Sequence, residues 1–168
     1  MIQSLEMKTF TSKILVLLLL LTSFISQAQN QFMDFDGVDD NAYSYESVSP
    51  LPQGNSNFTV EVWIRPTTYN NYPTVLTWGT YDGGYSAGIN LQSTGEISWL
   101  GGAGPGGVPN NNFYFPGVSA DLNTWTHVAI TYDGSYLTFY KNGVLVATSQ
   151  QSLNLGSGNL LVGQIFNN

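Results

Sequence analysis

Residues 125–143 constrain the fold more than any other stretch of the chain. Asp133-Gly134 and Asn142-Gly143 are residue pairs that accept the positive φ angles of tight hairpin turns, and alternating apolar residues flank both. Three consecutive antiparallel strands are therefore expected. A two-residue first loop would set Ile130 against Leu137 and Val128 against Phe139, whereas a four-residue loop would set Ile130 against Phe139. Both registers keep the same side chains on one face, because the side-chain period of a strand is two. The second turn is expected to bring Val146 beside Phe139, with His127, Thr138, Tyr140 and Leu145 on the opposite face.

The amino-terminal residues follow different rules. Lys8 and Lys13 precede an apolar run over 14–21, and Ser26-Gln27-Ala28 supplies the small residues of a cleavage site, so residues 1–28 read as a secretory signal peptide. The run is shorter than the ~20 apolar residues that cross a bilayer, which argues against membrane insertion. The remaining 29–168 read as one domain, secreted or at the cell surface. The chain has 4 Lys and Arg against 11 Asp and Glu; with Lys8, Lys13 and Glu6 in the leader, only Arg65 and Lys141 remain against ten acids. Such a surface has no means of holding a phosphate backbone, so nucleic acid is excluded as a partner. It would instead attract divalent cations. With no cysteine, stability must come from packing, or packing plus metal.

Eighteen glycines, 14% aromatic residues and only 9% charged residues suit a turn-rich β protein, and after residue 28 no stretch carries a helical apolar stripe. Strands are expected at 32–35, 43–47, Phe58–Ile64, 75–78, Tyr85–Leu91 and 96–100. In the third of these, Phe58, Val60, Val62 and Ile64 share the inward face until Pro66 ends the ladder. Residues 101–112 form a Gly-rich loop. It lacks the Lys-Ser/Thr and the following helix of a phosphate cradle, and reads as a surface connection or a variable rim near a ligand.

Three segments then carry a family resemblance: Phe35-Asp36-Gly37-Val38-Asp39-Asp40, the run from Phe58 to Pro66, and Trp125-Thr126-His127-Val128-Ala129 through Asn142-Gly143. In this order they resemble the laminin G-like domains of the concanavalin A-like lectin/glucanase superfamily, over residues 32–165. The resemblance implies an all-β fold, a two-sheet antiparallel jelly-roll sandwich. Family members usually continue past a segment like Leu160-Leu161-Val162-Gly163 into an Ile-Asp-Glu-Val-Arg-like closing strand, which this sequence does not contain. An incomplete domain of a longer parent chain is therefore expected, with 32–35 at a sheet edge and part of its hydrogen bonding unused.

No catalytic constellation is visible. Glucanases of this superfamily carry paired carboxylates in a Glu-x-Asp-x-Glu type of strand, and neither Glu61 nor Glu96 starts one. A single histidine and no cysteine argue against a zinc site or a Cys-His nucleophile. His127 belongs to the Trp-x-His-Val-Ala pattern and reads as structural, bonded to a neighbouring strand or to Tyr140; Trp63 and Trp125 read as packing residues. Asp34, Asp36, Asp39 and Asp40 have the oxygen-rich, turn-borne character that calcium favours, and the resemblance raises Asp36 and Asp39 as ligands of a structural calcium. Equally, Asp36 reads as a plain turn cap before Gly37, with the other acids solvated. Sugar stacking would need exposed aromatic faces beside amides or carboxylates; Tyr69, Tyr72, Tyr81, Asp82, Tyr85 and Asn90 are candidates, with Tyr81, Asp82 and Tyr85 foremost.

The expectation is a secreted, non-catalytic binding or adhesion module for an extracellular glycan or protein. The alternatives are an accessory domain of a secreted glycoside hydrolase and a purely structural spacer.

Overall fold

The computed structural model describes residues 31–44, 51–69, 73–80, 85–101 and 112–163. By internal contacts the chain divides into residues 1–34 and 35–168. Of the first unit only 31–34 are described, and they hold no strand; the leader expected over 1–28 lies outside the described residues. Among its described residues the second unit contains ten strands and no helix: β1 (Ala42–Tyr43), β2 (Phe58–Ile64), β3 (Thr74–Thr80), β4 (Tyr85–Leu91), β5 (Glu96–Gly101), β6 (Phe113–Ser119), β7 (Thr126–Tyr132), β8 (Tyr136–Lys141), β9 (Val144–Gln150) and β10 (Leu160–Val162).

They form two antiparallel sheets, one in the order β1-β10-β3-β4-β5-β6 and one in the order β2-β7-β8-β9. In the second sheet the Asp-Gly turn takes the four-residue form, since Tyr132 pairs with Leu137 and Ile130 with Phe139. Local chemistry selects it. Asp133 Oδ1 accepts the N–H groups of Ser135 and Tyr136, and Gly134 adopts φ 94°. The Asn142-Gly143 turn is the two-residue kind with both φ positive, 50° and 76°. Phe58 and Ile64 are buried, Val60 and Val62 half-buried, and Thr59, Glu61 and Trp63 exposed, as the alternation in β2 requires.

The inner faces of the sheets meet in one apolar core. Phe115 of β6 stacks on Phe139 of β8 at 4.2 Å, joining the sheets through two fully buried rings. Farther along, Phe58 of β2 lies 5.6 Å edge-on to Trp78 of β3 and 5.5 Å from the stacked ring of Trp99 on β5. Such aromatic pairs contribute about 0.5–1.5 kcal/mol each beyond their burial.

Four sequence expectations change. Residues 32–35 form no strand and so do not occupy a sheet edge; Phe32 and Met33 are adjacent and both exposed, which breaks the period-two pattern, and the Phe35 ring lies against Gly163. The edge of the six-stranded sheet is instead β1, bonded to β10. Of the strand expected at 43–47, Tyr43 lies in β1 and 45–47 lie outside the described residues. Val146 does not pair with Phe139, because a bulge makes Ala147 its partner. Finally, β6 was not expected, since Pro116 and Gly117 interrupt its apolar alternation.

Candidate functional site: a polar face on the six-stranded sheet

The central strand β4 alternates Ala87, Ile89 and Leu91, which belong to the core, with Ser86, Gly88 and Asn90, which fall on the outer face. Cross-strand pairing extends that outer face sideways. Thr77 pairs with Gly88, Asn90 with Ser98, and Ser98 with Tyr114. Thr77, Ser86, Asn90 and Ser98 are the buried polar residues of this sheet, whereas Tyr114 is 49% exposed. The Ser98 hydroxyl donates to Asn90 Oδ1, and Gln92 Nε2 donates to Ser98 Oγ at 2.9 Å. Thr77 Oγ1 is buried without a hydrogen-bond partner. Burying an unsatisfied hydroxyl costs about 1–3 kcal/mol, so sites that keep one usually use it.

Gly88 is required by contact rather than by backbone angle. A Cβ there would lie 2.6 Å from both the Leu76 carbonyl oxygen and Thr77 Cγ2. Its absence leaves the floor of the face low between the polar side chains. Thr77, Ser86, Asn90 and Ser98 are covered and brace the sheet, and Tyr114 is the residue of this row whose side chain stands open to a ligand.

The aromatic candidates read from sequence are distributed differently. Tyr72, Tyr81 and Asp82 lie outside the described residues. Tyr85 begins β4 and is partly exposed, but it stands five residues from Asn90, so the two fall on opposite faces of the strand. Tyr69 is engaged in the fold: its ring covers Gly95 and its hydroxyl donates to the Ala120 carbonyl. Thr77, Ser98 and Tyr114 were missed. Phe113 and Phe115 flanking an outward Tyr114 were the available signal, hidden by the Pro-Gly pair that follows.

Asp36, Asp39 and Asp40 come together, each offering a carboxylate oxygen within 4.8 Å of the others, and all three are exposed. Asp36 Oδ1 accepts the Val38 N–H at 2.8 Å, and Asp40 Oδ2 accepts the Asp36 N–H at 3.1 Å. Glu61 and Glu96 sit on different sheets. Glu96 Oε1 accepts the Gly117 N–H at 3.0 Å, and Glu61 Oε2 lies 3.6 Å from His127 Nε2. His127 also packs against Trp63 at 5.1 Å, so its neighbours are on β2. Both basic residues after residue 28 hold backbone carbonyls: Arg65 Nε that of Asn123, and Lys141 Nζ that of Ser119.

The two antiparallel sheets define the class of concanavalin A-like jelly-roll sandwiches. The chain belongs to the concanavalin A-like lectin/glucanases superfamily, whose laminin G family model matches residues 36–167. None of the curated proteins compared with the chain matches it. Among solved structures, the chain is similar to the CBM40 module of Ruminococcus gnavus IT-sialidase, with TM-score 0.52 and 18% identity over 66% of this chain and 62% of that one. It is also similar to domain 4 of an extracellular arabinanase from Geobacillus stearothermophilus (TM-score 0.51, 19% identity, 67% and 53% covered). The mouse laminin alpha1 chain offers a third likeness (0.52, 16%, 70% and 30%). In each case the match spans less than two thirds of the other chain. No helix of the described residues is long and apolar enough to cross a membrane.

Proposed function

We propose that the chain is a secreted, non-catalytic binding module that holds an extracellular glycan on the outer face of its six-stranded sheet. The observation that carries this reading is the exposed Tyr114 ring at the open end of the row Asn90–Ser98–Tyr114. Tyr114 would stack on a sugar ring, and the buried Asn90–Ser98 hydrogen bond on the neighbouring strands would hold its platform in place. The arabinanase domain was solved with arabinotriose, a neutral sugar. A neutral glycan is also what the charges here favour, because Arg65 and Lys141 are committed to backbone carbonyls and no other cation follows the leader. A sialylated or uronic sugar would meet no counter-charge.

Titration calorimetry of the chain with arabinotriose and a panel of neutral and acidic oligosaccharides tests this. Saturable binding to a neutral member, weakened roughly tenfold or more by Tyr114→Ala, with the melting temperature preserved, is the expected result. Binding confined to acidic sugars, or unaffected by Tyr114→Ala and Ser98→Ala, would refute it. Hydrolysis of any panel member that Glu61→Gln or Glu96→Gln abolishes would overturn the non-catalytic role.

Asp36 and Asp39, joined by Asp40, are proposed as ligands of a structural calcium. Three carboxylates suit that hard cation. Calcium should raise the melting temperature, and Asp36→Ala should remove the increase; no calcium-dependent shift would leave the turn cap as the whole role of Asp36.

A further inference from the structure

The outer face of β5 carries Glu96, Ser98 and Leu100, because Ile97 and Trp99 between them are core residues. Ser98 is buried, whereas Glu96 and Leu100 are partly exposed. Glu96 stands two positions from Ser98, about 7 Å along the strand, and Ser98 pairs with Tyr114. The carboxylate therefore shares a face with the exposed Tyr114 ring, one step along from it.

The neighbouring strand is shaped around this carboxylate. Glu96 pairs with Ser119 and Ser98 with Tyr114, so β6 advances five residues where β5 advances two. The surplus includes Pro116 and Gly117, both exposed, with Gly117 at φ 76°. The Gly117 N–H donates to Glu96 Oε1 at 3.0 Å, and the Thr94 hydroxyl donates to Oε2 at 3.4 Å. Among the described residues these are the bonds of the carboxylate. An ionised carboxylate has about four acceptor sites, two on each oxygen, so each oxygen keeps one. A Cβ on its partner Gly117 would meet nothing within 4 Å, which leaves the approach open.

Two acceptor sites held side by side match two hydroxyls on neighbouring ring carbons, each donating one O–H. We propose that Glu96 is a specificity-determining residue of this face, accepting a pair of free vicinal hydroxyls from the sugar that stacks on Tyr114. The ligand class narrows to neutral glycans with an unsubstituted vicinal diol at that ring. Methylation, acetylation or branching at either hydroxyl removes a donor, and a carboxylated or sulfated sugar sets like charges against each other. Glu96 has this role only where Tyr114 is a sugar platform, so the experiment separates the two.

The test is calorimetry of the full chain with the methyl glycosides of arabinotriose, xylotriose and mannotriose. Each is also used with every 3-hydroxyl methylated, which leaves no two neighbouring carbons with free hydroxyls. At least one parent sugar should bind saturably, and its methylated form about tenfold more weakly. Glu96→Gln keeps an acceptor for Gly117 and a polar group for Thr94, so the melting temperature should hold. It should weaken binding of the parent sugar about tenfold and abolish discrimination between the two forms. Binding that Tyr114→Ala removes but Glu96→Gln leaves unchanged overturns the role of Glu96 and spares the glycan reading. Equal binding of the parent and methylated forms by the unaltered chain overturns it as well, whatever the variant does. If no sugar binds, both readings fall.

Discussion

The two sheets of the sandwich are encoded in different ways. In the four-stranded sheet, β2, β7 and β8 keep unbroken register, and the hairpin turns are built from neighbouring residues such as Asp133 and Asn142. In the six-stranded sheet the register shifts in β3–β4 and again in β5–β6, and the outer face of β4 is buried and polar. Regular pairing makes a scaffold from local signals, whereas the polar face depends on groups brought together from β3, β4, β5 and β6. The comparison is sharpened by substitutions that should behave differently in the two halves.

The largest effect is expected where the sheets join. Phe139→Ala removes a fully buried ring stacked on Phe115 and should cost about 3–5 kcal/mol by chemical denaturation. Val146→Ala, in the bulge of the same sheet, should stay within about 0.5 kcal/mol because the side chain is partly exposed and outside the core. Comparable losses at the two positions would show that β9 packs as tightly as β8 despite its bulge.

Glycines separate the sheets by mechanism. Gly88→Ala drives a methyl group into backbone and side-chain atoms of β3, and should cost about 1–3 kcal/mol as overpacking. Gly143→Ala meets open space and should cost only the strain of its positive φ, about 1 kcal/mol. If Gly88→Ala proves neutral, the floor of the polar face has room that the geometry does not show.

Thr77→Val probes the function of the polar face with a smaller change of opposite sign. Removing a buried, unpartnered hydroxyl at nearly constant shape should stabilise the fold by about 1 kcal/mol and, because the hydroxyl is out of a ligand's reach, leave glycan binding unchanged. A destabilised variant would reveal a partner for Thr77 Oγ1 in the free protein, and weakened binding would show that the face opens when a ligand docks.

Legibility in the sequence followed the same division. The hairpins were readable because Asp-Gly and Asn-Gly pairs sit between alternating apolar residues, and β2 because four inward side chains alternate without a break. The first turn was readable only to within two loop lengths, and the capping bonds from Asp133 decided between them. The polar face was not legible. Its row joins Asn90 to Ser98 across one turn and Ser98 to Tyr114 across the Gly-rich segment, and Pro116-Gly117 hid the last strand. Tyr69 looked like a sugar platform for the converse reason, because nothing in the sequence shows its hydroxyl reaching Ala120. Long-range register, not residue type, assigns such roles.

The smallest predicted effect tests how far the regular sheet rests on local chemistry. Asp133 Oδ1 accepts the Tyr136 N–H at 2.7 Å and the Ser135 N–H at 2.9 Å. These bonds favour the charged carboxylate and hold its pKa below the ordinary value of 3.8. Because the folded value is the lower one, the stabilisation is fully present above the unfolded pKa and is lost as pH falls through the folded pKa. Asp133→Asn keeps an oxygen acceptor for the turn but not the charge, so it should lower the melting temperature slightly at neutral pH. The gap between the two proteins should close in acid, at pH values below about 3.8. A gap that persists unchanged there would mean that shape alone, not the carboxylate charge, sets the four-residue turn. The register of β7 on β8 would then rest on Gly134 and on core pairing between Ile130 and Phe139.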